Sequence, residues 1–113
     1  MQIYDEANTL ASHIRECEES RTYRALKEEV QGNETLSALL KEYKRLQIKV
    51  QLSAVSGGSA ETEEIQRFQQ IGNLLFADAT AQRYLLAEMR MQQMMADVFK
   101  ILNDASGLEM PGM

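Results

Sequence analysis

The chain has 113 residues, 12 of them basic and 17 acidic, for a net charge of -5. This length suits one domain. The acidic balance argues against a general nucleic-acid binder and against attachment to an anionic membrane surface. No apolar run approaches the ~20 residues of a membrane span. The start, Met1-Gln-Ile-Tyr-Asp-Glu, has no basic region followed by an apolar stretch, so no secretory signal is expected. A single cysteine, Cys17, cannot form an internal disulfide framework. Together these features predict a cytoplasmic protein.

Ala, Leu, Glu, Gln, Lys, Arg and Met dominate, there is no Trp, and the one proline, Pro111, lies near the end. These are strong helix formers, and the predicted fold class is all-α. The first helix is marked by Ile3, Ala7, Leu10, Ile14 and Cys17, at spacings of four and three. The polar patch Glu18-Glu19-Ser20 follows, with Ser20 placed to cap or kink the chain. A short second helix carrying Tyr23, Leu26 and Val30 runs to Gly32. Gly32 suits a left-handed helix end, and Asn33 suits the cap of the next helix.

The third helix is predicted from about Glu34 to Val55, with Leu36, Leu39, Tyr43, Leu46 and Val50 as its buried stripe and Leu40 beside it. Ser56, Gly57, Gly58 and Ser59 break it as a hairpin loop. Glu61, Glu63 and Glu64 crowd the start of a fourth helix, where the helix dipole favours negative charge. Its core face is Ile65, Phe68, Ile71 and Leu75. Asp78 or Thr80 caps a fifth helix, which ends near Gly107. A single helical domain over residues 1–107 and a flexible tail over 108–113 are the expected organisation. The third and fifth helices, about 33 and 40 Å long, exceed the ~13 Å radius of a compact globule of this size. An elongated antiparallel bundle that associates with further copies is therefore expected.

The fifth helix is the most informative segment. From Thr80 to Ser106 it has no Gly and no Pro. Arg90, Gln93, Asp97, Lys100 and Asp104 form one narrow polar strip, and much of the remaining circumference is apolar. That arc covers roughly two-thirds of the helix, against about 100° for an ordinary surface helix. Tyr84, Met91, Met95, Val98 and Leu102 lie near its centre and are the candidate interface. The four methionines Met89, Met91, Met94 and Met95 suit an adaptable protein contact as well as core filling.

Other candidates are weaker. His13 and Cys17 are one helical turn apart, but two ligands do not make a structural zinc site. Cys17 also continues the apolar stripe of its helix, so no metal and no cofactor is predicted. One His and one Cys on the same helix do not make a nucleophile, base and orienting group, and no phosphate-binding glycine loop is present. No enzymatic activity is expected. Lys41, Lys44, Arg45 and Lys49 form a basic stripe on the third helix, a candidate contact for an acidic partner or RNA. A solvated face is the simpler account, since Glu42 sits beside it and no aromatic residues interleave for base stacking.

The whole pattern resembles a known family. Tyr4-Asp5 opens the first helix, and Glu19-Ser20 leads to Tyr23. The break Gly32-Asn33-Glu34 precedes a long helix with Leu39-Leu40, Tyr43 and Leu46-Gln47, followed by a glycine loop, an acidic helix start and a final long helix. This arrangement, over residues 3 to about 104, is similar to the YlbF/YmcA family of small bacterial helical proteins, including YheA-type members. The resemblance implies long antiparallel helices, association as a homodimer or larger species, contacts with related family members or regulatory protein partners, and no catalysis. It implies an adaptor or regulatory role of the kind connected with competence, sporulation, biofilm formation and ribonuclease Y-dependent RNA maturation; the alternative is a self-contained structural homo-oligomer without a regulatory partner. Cysteine-bound iron–sulfur clusters occur in that family's complex. Here the C-terminal region reads Leu108-Glu109-Met110-Pro111, without cysteine.

Overall fold

The computed structural model describes residues 2–56 and 62–109. Among them are five helices and no strand: α1 (Gln2–Glu16), α2 (Glu18–Gln31), α3 (Glu34–Ser56), α4 (Thr62–Ala77) and α5 (Ala79–Ser106). Of the predicted hairpin loop only Ser56 is among them, as the last residue of α3. Residues 57–61 and 110–113, which include Glu61 and most of the predicted tail, lie outside the described residues.

The helix boundaries follow from local chemistry. The Asn33 carboxamide oxygen accepts the backbone N–H of Leu36 at 3.0 Å and caps α3. The Asp78 carboxylate accepts the N–H of Ala81 at 2.9 Å, so Asp78 rather than Thr80 caps α5. Gly107, with φ of 71°, is the residue that closes α5 in the left-handed region. Gly32 does not play the corresponding part at the end of α2. Its N–H donates to the Glu28 carbonyl at 3.0 Å, and the Asn33 N–H donates to Val30 at 3.1 Å. The chain leaves α2 through a tightened three-residue turn, which needs no left-handed residue. A side chain at 32 would meet the Glu28 and Glu29 carbonyls at 3.5 Å, ordinary contact.

The break after α1 also differs from the sequence reading. The bend falls at Cys17, and α2 begins at once with Glu18. Ser20 is neither cap nor kink; it lies inside α2 and is buried, its hydroxyl accepting the Arg24 guanidinium at 2.7 Å. Helical bonds from Cys17 to His13 and from Arg21 to Cys17 carry the chain through the bend. A bend opens carbonyls that a straight helix would satisfy. Here the Ile14 carbonyl accepts the Cys17 thiol at 3.1 Å, and the Arg15 carbonyl accepts Arg24 at 2.6 Å. Cys17 is thus half-buried at a helix joint, with its thiol bonded to the backbone.

The described residues form two compact units, and the division falls inside α2 and α5. One comprises residues 2–25 and 85–109, the other Leu26–Tyr84. The second unit holds most of the core. In it α3 and α4 run antiparallel, as their contacts show: Lys49 pairs with Glu64 at 2.9 Å, Glu42 with Arg67 at 3.4 Å, and the Tyr43 ring stacks on Phe68 at 4.8 Å. Position 49 of α3 meets position 64 of α4, whereas positions 42 and 43, earlier in α3, meet 67 and 68, later in α4. Leu46 from α3 and Leu75 from α4 are fully buried, and Leu36, Leu40, Ile71, Ala81 and Tyr84 are buried with them. Gly72 lies against Tyr43, where an added Cβ would stand 3.3 Å from the ring. Leu39, Tyr43 and Val50 of the predicted stripe are half-buried, whereas Leu40, placed beside that stripe, is buried. Ile65, at the start of the predicted core face of α4, is exposed.

The Glu42 carboxyl is held below the ordinary carboxylate range, chiefly by the Arg45 guanidinium that hydrogen-bonds it, with further attraction from Arg67 and Lys49. Because the folded group is the stronger acid, its contribution is fully present above the unfolded carboxylate pKa. It is lost as pH falls through the lower folded value. The pair is open to solvent, so the effect is small. Glu42→Gln should remove part of the stability lost on acidification. Denaturation midpoints at neutral pH and near pH 3 check this, and an identical pH dependence in both proteins would contradict it. A larger effect is expected in the core. Leu46→Ala should destabilise the chain by about 2–5 kcal/mol, whereas Leu52→Ala, on an exposed position of α3, should cost less than about 0.5 kcal/mol in the same denaturant experiment.

Candidate protein-binding face

The unit formed by residues 2–25 and 85–109 has little interior. No residue of α1 is buried. The buried residues of the whole unit are Ser20, Leu85 and Ala87. Its apolar side chains nonetheless follow helical periodicity. Leu10 and Ile14 on α1 are half-buried, while Ile3 and Tyr4 stand in the open.

The inward stripe of α5 shows the same change along its length. Ala81 and Tyr84 are sealed, at 0% and 6% exposure. Met91, Met95 and Val98, continuing the three-and-four spacing, are half-buried, and Leu102 is 55% exposed. Glu88 interrupts the stripe one turn after Tyr84. Met89, Phe99 and Ile101 are exposed on neighbouring parts of the arc. Of the five predicted interface residues, then, Met91, Met95, Val98 and Leu102 lie on the open stretch. Tyr84 lies in the core of the other unit, its hydroxyl 3.4 Å from the Lys44 ammonium. The polar strip is built as its spacing suggests: Gln93 donates to Asp97 at 2.9 Å, and Lys100 pairs with Asp104 at 3.3 Å.

A second apolar row escaped the sequence reading. Ile48, Leu52 and Val55 on α3 are all exposed. Their spacing of four and three was available in the sequence, but the stronger stripe through Leu46 masked it.

The four cations of the basic stripe do not form one surface. Arg45 is bonded to Glu42 through two nitrogens, at 2.6 and 3.0 Å. Lys49 reaches across the hairpin to Glu64. Lys44 lies over the Tyr84 ring, 5.4 Å from its centroid. Lys41 is exposed. Arg45 and Lys49 are thus met by carboxylates of the same unit, which interrupts a basic track for a polyanion along α3.

Among the described residues, no three His, Cys, Asp or Glu side chains are placed to hold a metal ion together. Among the same residues no helix is long and apolar enough to cross a membrane.

Five helices, with an antiparallel hairpin as the core and a long final helix bare along much of its apolar arc, define an all-helical protein of the bundle class. The chain belongs to the family described as "Control of competence regulator ComK, YlbF/YmcA", whose model matches residues 3–105. It is similar to a UPF0342 protein of Halothermothrix orenii, at 33% identity over 90% of this chain and 86% of the relative. A UPF0342 protein of Symbiobacterium thermophilum is 26% identical over 96% of this chain and 97% of its own. The fold is shared with a DUF964 protein from Bacillus stearothermophilus, at a TM-score of 0.76, 20% identity and 95% and 94% coverage of the two chains. It is shared also with a crystal structure of Bacillus subtilis RicA in complex with RicF, at a TM-score of 0.62, 17% identity and 94% coverage of both.

Cys17→Ala should keep the helicity of the wild type and leave the metal content unchanged, because the thiol serves the backbone at the α1–α2 bend. Circular dichroism and elemental analysis check this. Stoichiometric iron or zinc in the wild type, absent from the variant, would overturn it.

Proposed function

We propose that this protein is a non-enzymatic adaptor of the cytoplasm, which self-associates and regulates through protein–protein contact. The observation that carries the reading is the unit of residues 2–25 and 85–109, whose helices are amphipathic and whose apolar side chains are mostly uncovered. A helix without a buried face has little to offset the entropy of ordering it.

Magnitudes favour a second copy as the first partner. Full burial of one large apolar side chain contributes about 1.5–3 kcal/mol. Met89, Phe99, Ile101 and Leu102 retain between 53% and 66% of their exposure, so burying what remains would yield on the order of 3–7 kcal/mol from one chain. Association costs an estimated ~4–15 kcal/mol, so one set of four barely offsets it. A two-fold symmetric contact buries the same set twice and adds the half-buried Met91, Met95 and Val98 from both sides. Methionine suits such a face because its unbranched side chain re-packs against different partners.

The family description names control of a competence regulator, and the structural relative RicA stands in complex with RicF. Both support a role in which this chain joins other proteins of its own kind within a regulatory complex. Competence, sporulation, biofilm formation and ribonuclease Y-dependent RNA maturation are the processes in which such a complex would act. The pairing of Arg45 and Lys49 with carboxylates disfavours the alternative of direct RNA binding through α3.

Light scattering after size exclusion should give a dimer or larger mass at micromolar concentration. Met95→Lys places a charge on the half-buried stripe and should dissociate the oligomer or unfold the chain. Leu102→Lys, at a position already exposed in the single chain, should dissociate it with helicity retained. Gln93→Lys on the polar strip should change neither mass nor helicity. A monomeric wild type, or unchanged mass and helicity in both Met95→Lys and Leu102→Lys, would defeat this reading.

A further inference from the structure

The unit of residues 2–25 and 85–109 carries a second bare surface, on α1. Ile3, Ala7, Leu10 and Ile14 keep spacings of four and three and share one face of the helix. Leu10 and Ile14, in its later turns, are half-buried. Ile3 and Tyr4 are 70% and 66% exposed, and Ala7 is exposed with them. Every residue from 2 to 9 is exposed, yet all are helical. Helical stretches this short are marginal in water without a packed face. The far end of α5 repeats the pattern. Met91, Met94, Met95 and Val98 are half-buried, whereas Phe99, Ile101 and Leu102 are more than half exposed. One compact unit therefore holds two amphipathic helices, each partly covered in its inner turns and bare in its terminal ones.

We infer that the first turns of α1 pack against the last turns of α5 of a second copy, reciprocally, so that each copy's α1 covers the other's α5. This rests on the self-association proposed above and names the element that completes it. The lengths match, since residues 2–9 and 99–106 each span about 12 Å of helix. The area also requires α1. A stable interface takes about 800 Å² from each partner. An aromatic residue exposed by half to two-thirds leaves roughly 100 Å² bare, and Tyr4 and Phe99 stand in that range. Ile3, Met89, Ile101 and Leu102 are bare to a similar degree, so the six present on the order of 600 Å². The four on α5 supply only about 400 Å² of this, half of what a stable interface needs. Ile3 and Tyr4, with the half-buried rows beside them, bring the surface close to the requirement. Symmetry favours the same arrangement. Because α1 and α5 belong to one unit, a two-fold contact through α5 brings the α1 of the second copy to that contact. Asp5 and Thr9 lie on the opposite side of α1 from the apolar row, so their polar groups stay in water when the row is covered.

The test uses the full chain. Protein labelled with ¹³C is mixed with unlabelled protein, and isotope-filtered NMR reads the contacts between copies. The methyl groups of Ile3 and Ala7 of one copy should show NOEs to the Phe99 ring and the Leu102 methyl groups of the other. Ile3→Lys should weaken association at least about tenfold by sedimentation, whereas Thr9→Lys, on the opposite side of α1, should associate as the wild type does. A wild type that associates without NOEs between copies from Ile3 or Ala7 to α5 overturns the α1 contact and leaves self-association standing. Association of Ile3→Lys as tight as that of the wild type has the same consequence. A monomeric wild type overturns both. Should Ile3→Lys lose helicity beyond α1, the NOEs of the wild type decide alone.

Discussion

The structure depends on the closure of α3 against α4. Leu46 and Leu75 are the two large side chains sealed from water, and they come from opposite arms of this hairpin. Around them the stacked rings of Tyr43 and Phe68, with Gly72 beside them, set how closely the arms approach. The ion pairs Lys49–Glu64 and Arg67–Glu42 lie at the solvent edge and add register more than energy. Asn33 and Asp78 cap the helices that enter and leave the hairpin, so backbone chemistry and side-chain packing agree there.

Outside that hairpin the same kind of sequence is put to a different use. The α5 stripe is sealed at Ala81 and Tyr84 and open at Leu102, with Glu88 standing between the two stretches. What changes is the supply of neighbours. Burial needs a surface on the other side, and Met91, Met95 and Val98 find one only in part while Leu102 stays exposed. Apolar residues in helical register that stay exposed are the ordinary mark of a recognition surface. Family membership and the uncovered face both support the proposed adaptor role, in which the chain completes its packing with other chains.

Charge behaves in the same way. Lys41, Lys44, Arg45 and Lys49 appear as one stripe when α3 is drawn alone. In the folded unit α4 brings Glu64 to Lys49, Glu42 turns to Arg45 and Arg67, and α2 with α5 surrounds Lys41 and Lys44 with Val30 and Tyr84. A periodic row of cations is therefore divided: Arg45 and Lys49 are ion-paired, and Lys41 and Lys44 lie near Val30 and Tyr84.

The sequence by itself determined the helices, most of their ends and the family. Helix propensity, the Asn33 cap, the stop at Gly107 and the stripe through Leu36, Leu46 and Val50 are local or periodic signals, readable without a partner. It missed where local signals compete. Ser20 looked like a cap but is buried in α2 with Arg24 donating to its hydroxyl, and Gly32 looked left-handed but sits in a tightened turn. Only the tertiary structure decided which apolar residues are core. It sealed Leu40 and Tyr84, left Ile65 and Ile101 in the open, and divided the residues proposed for contact between a closed interior and an uncovered face. Periodicity specifies that a helix has an apolar side. What lies opposite that side depends on residues far away in the chain, and burial is a property of both.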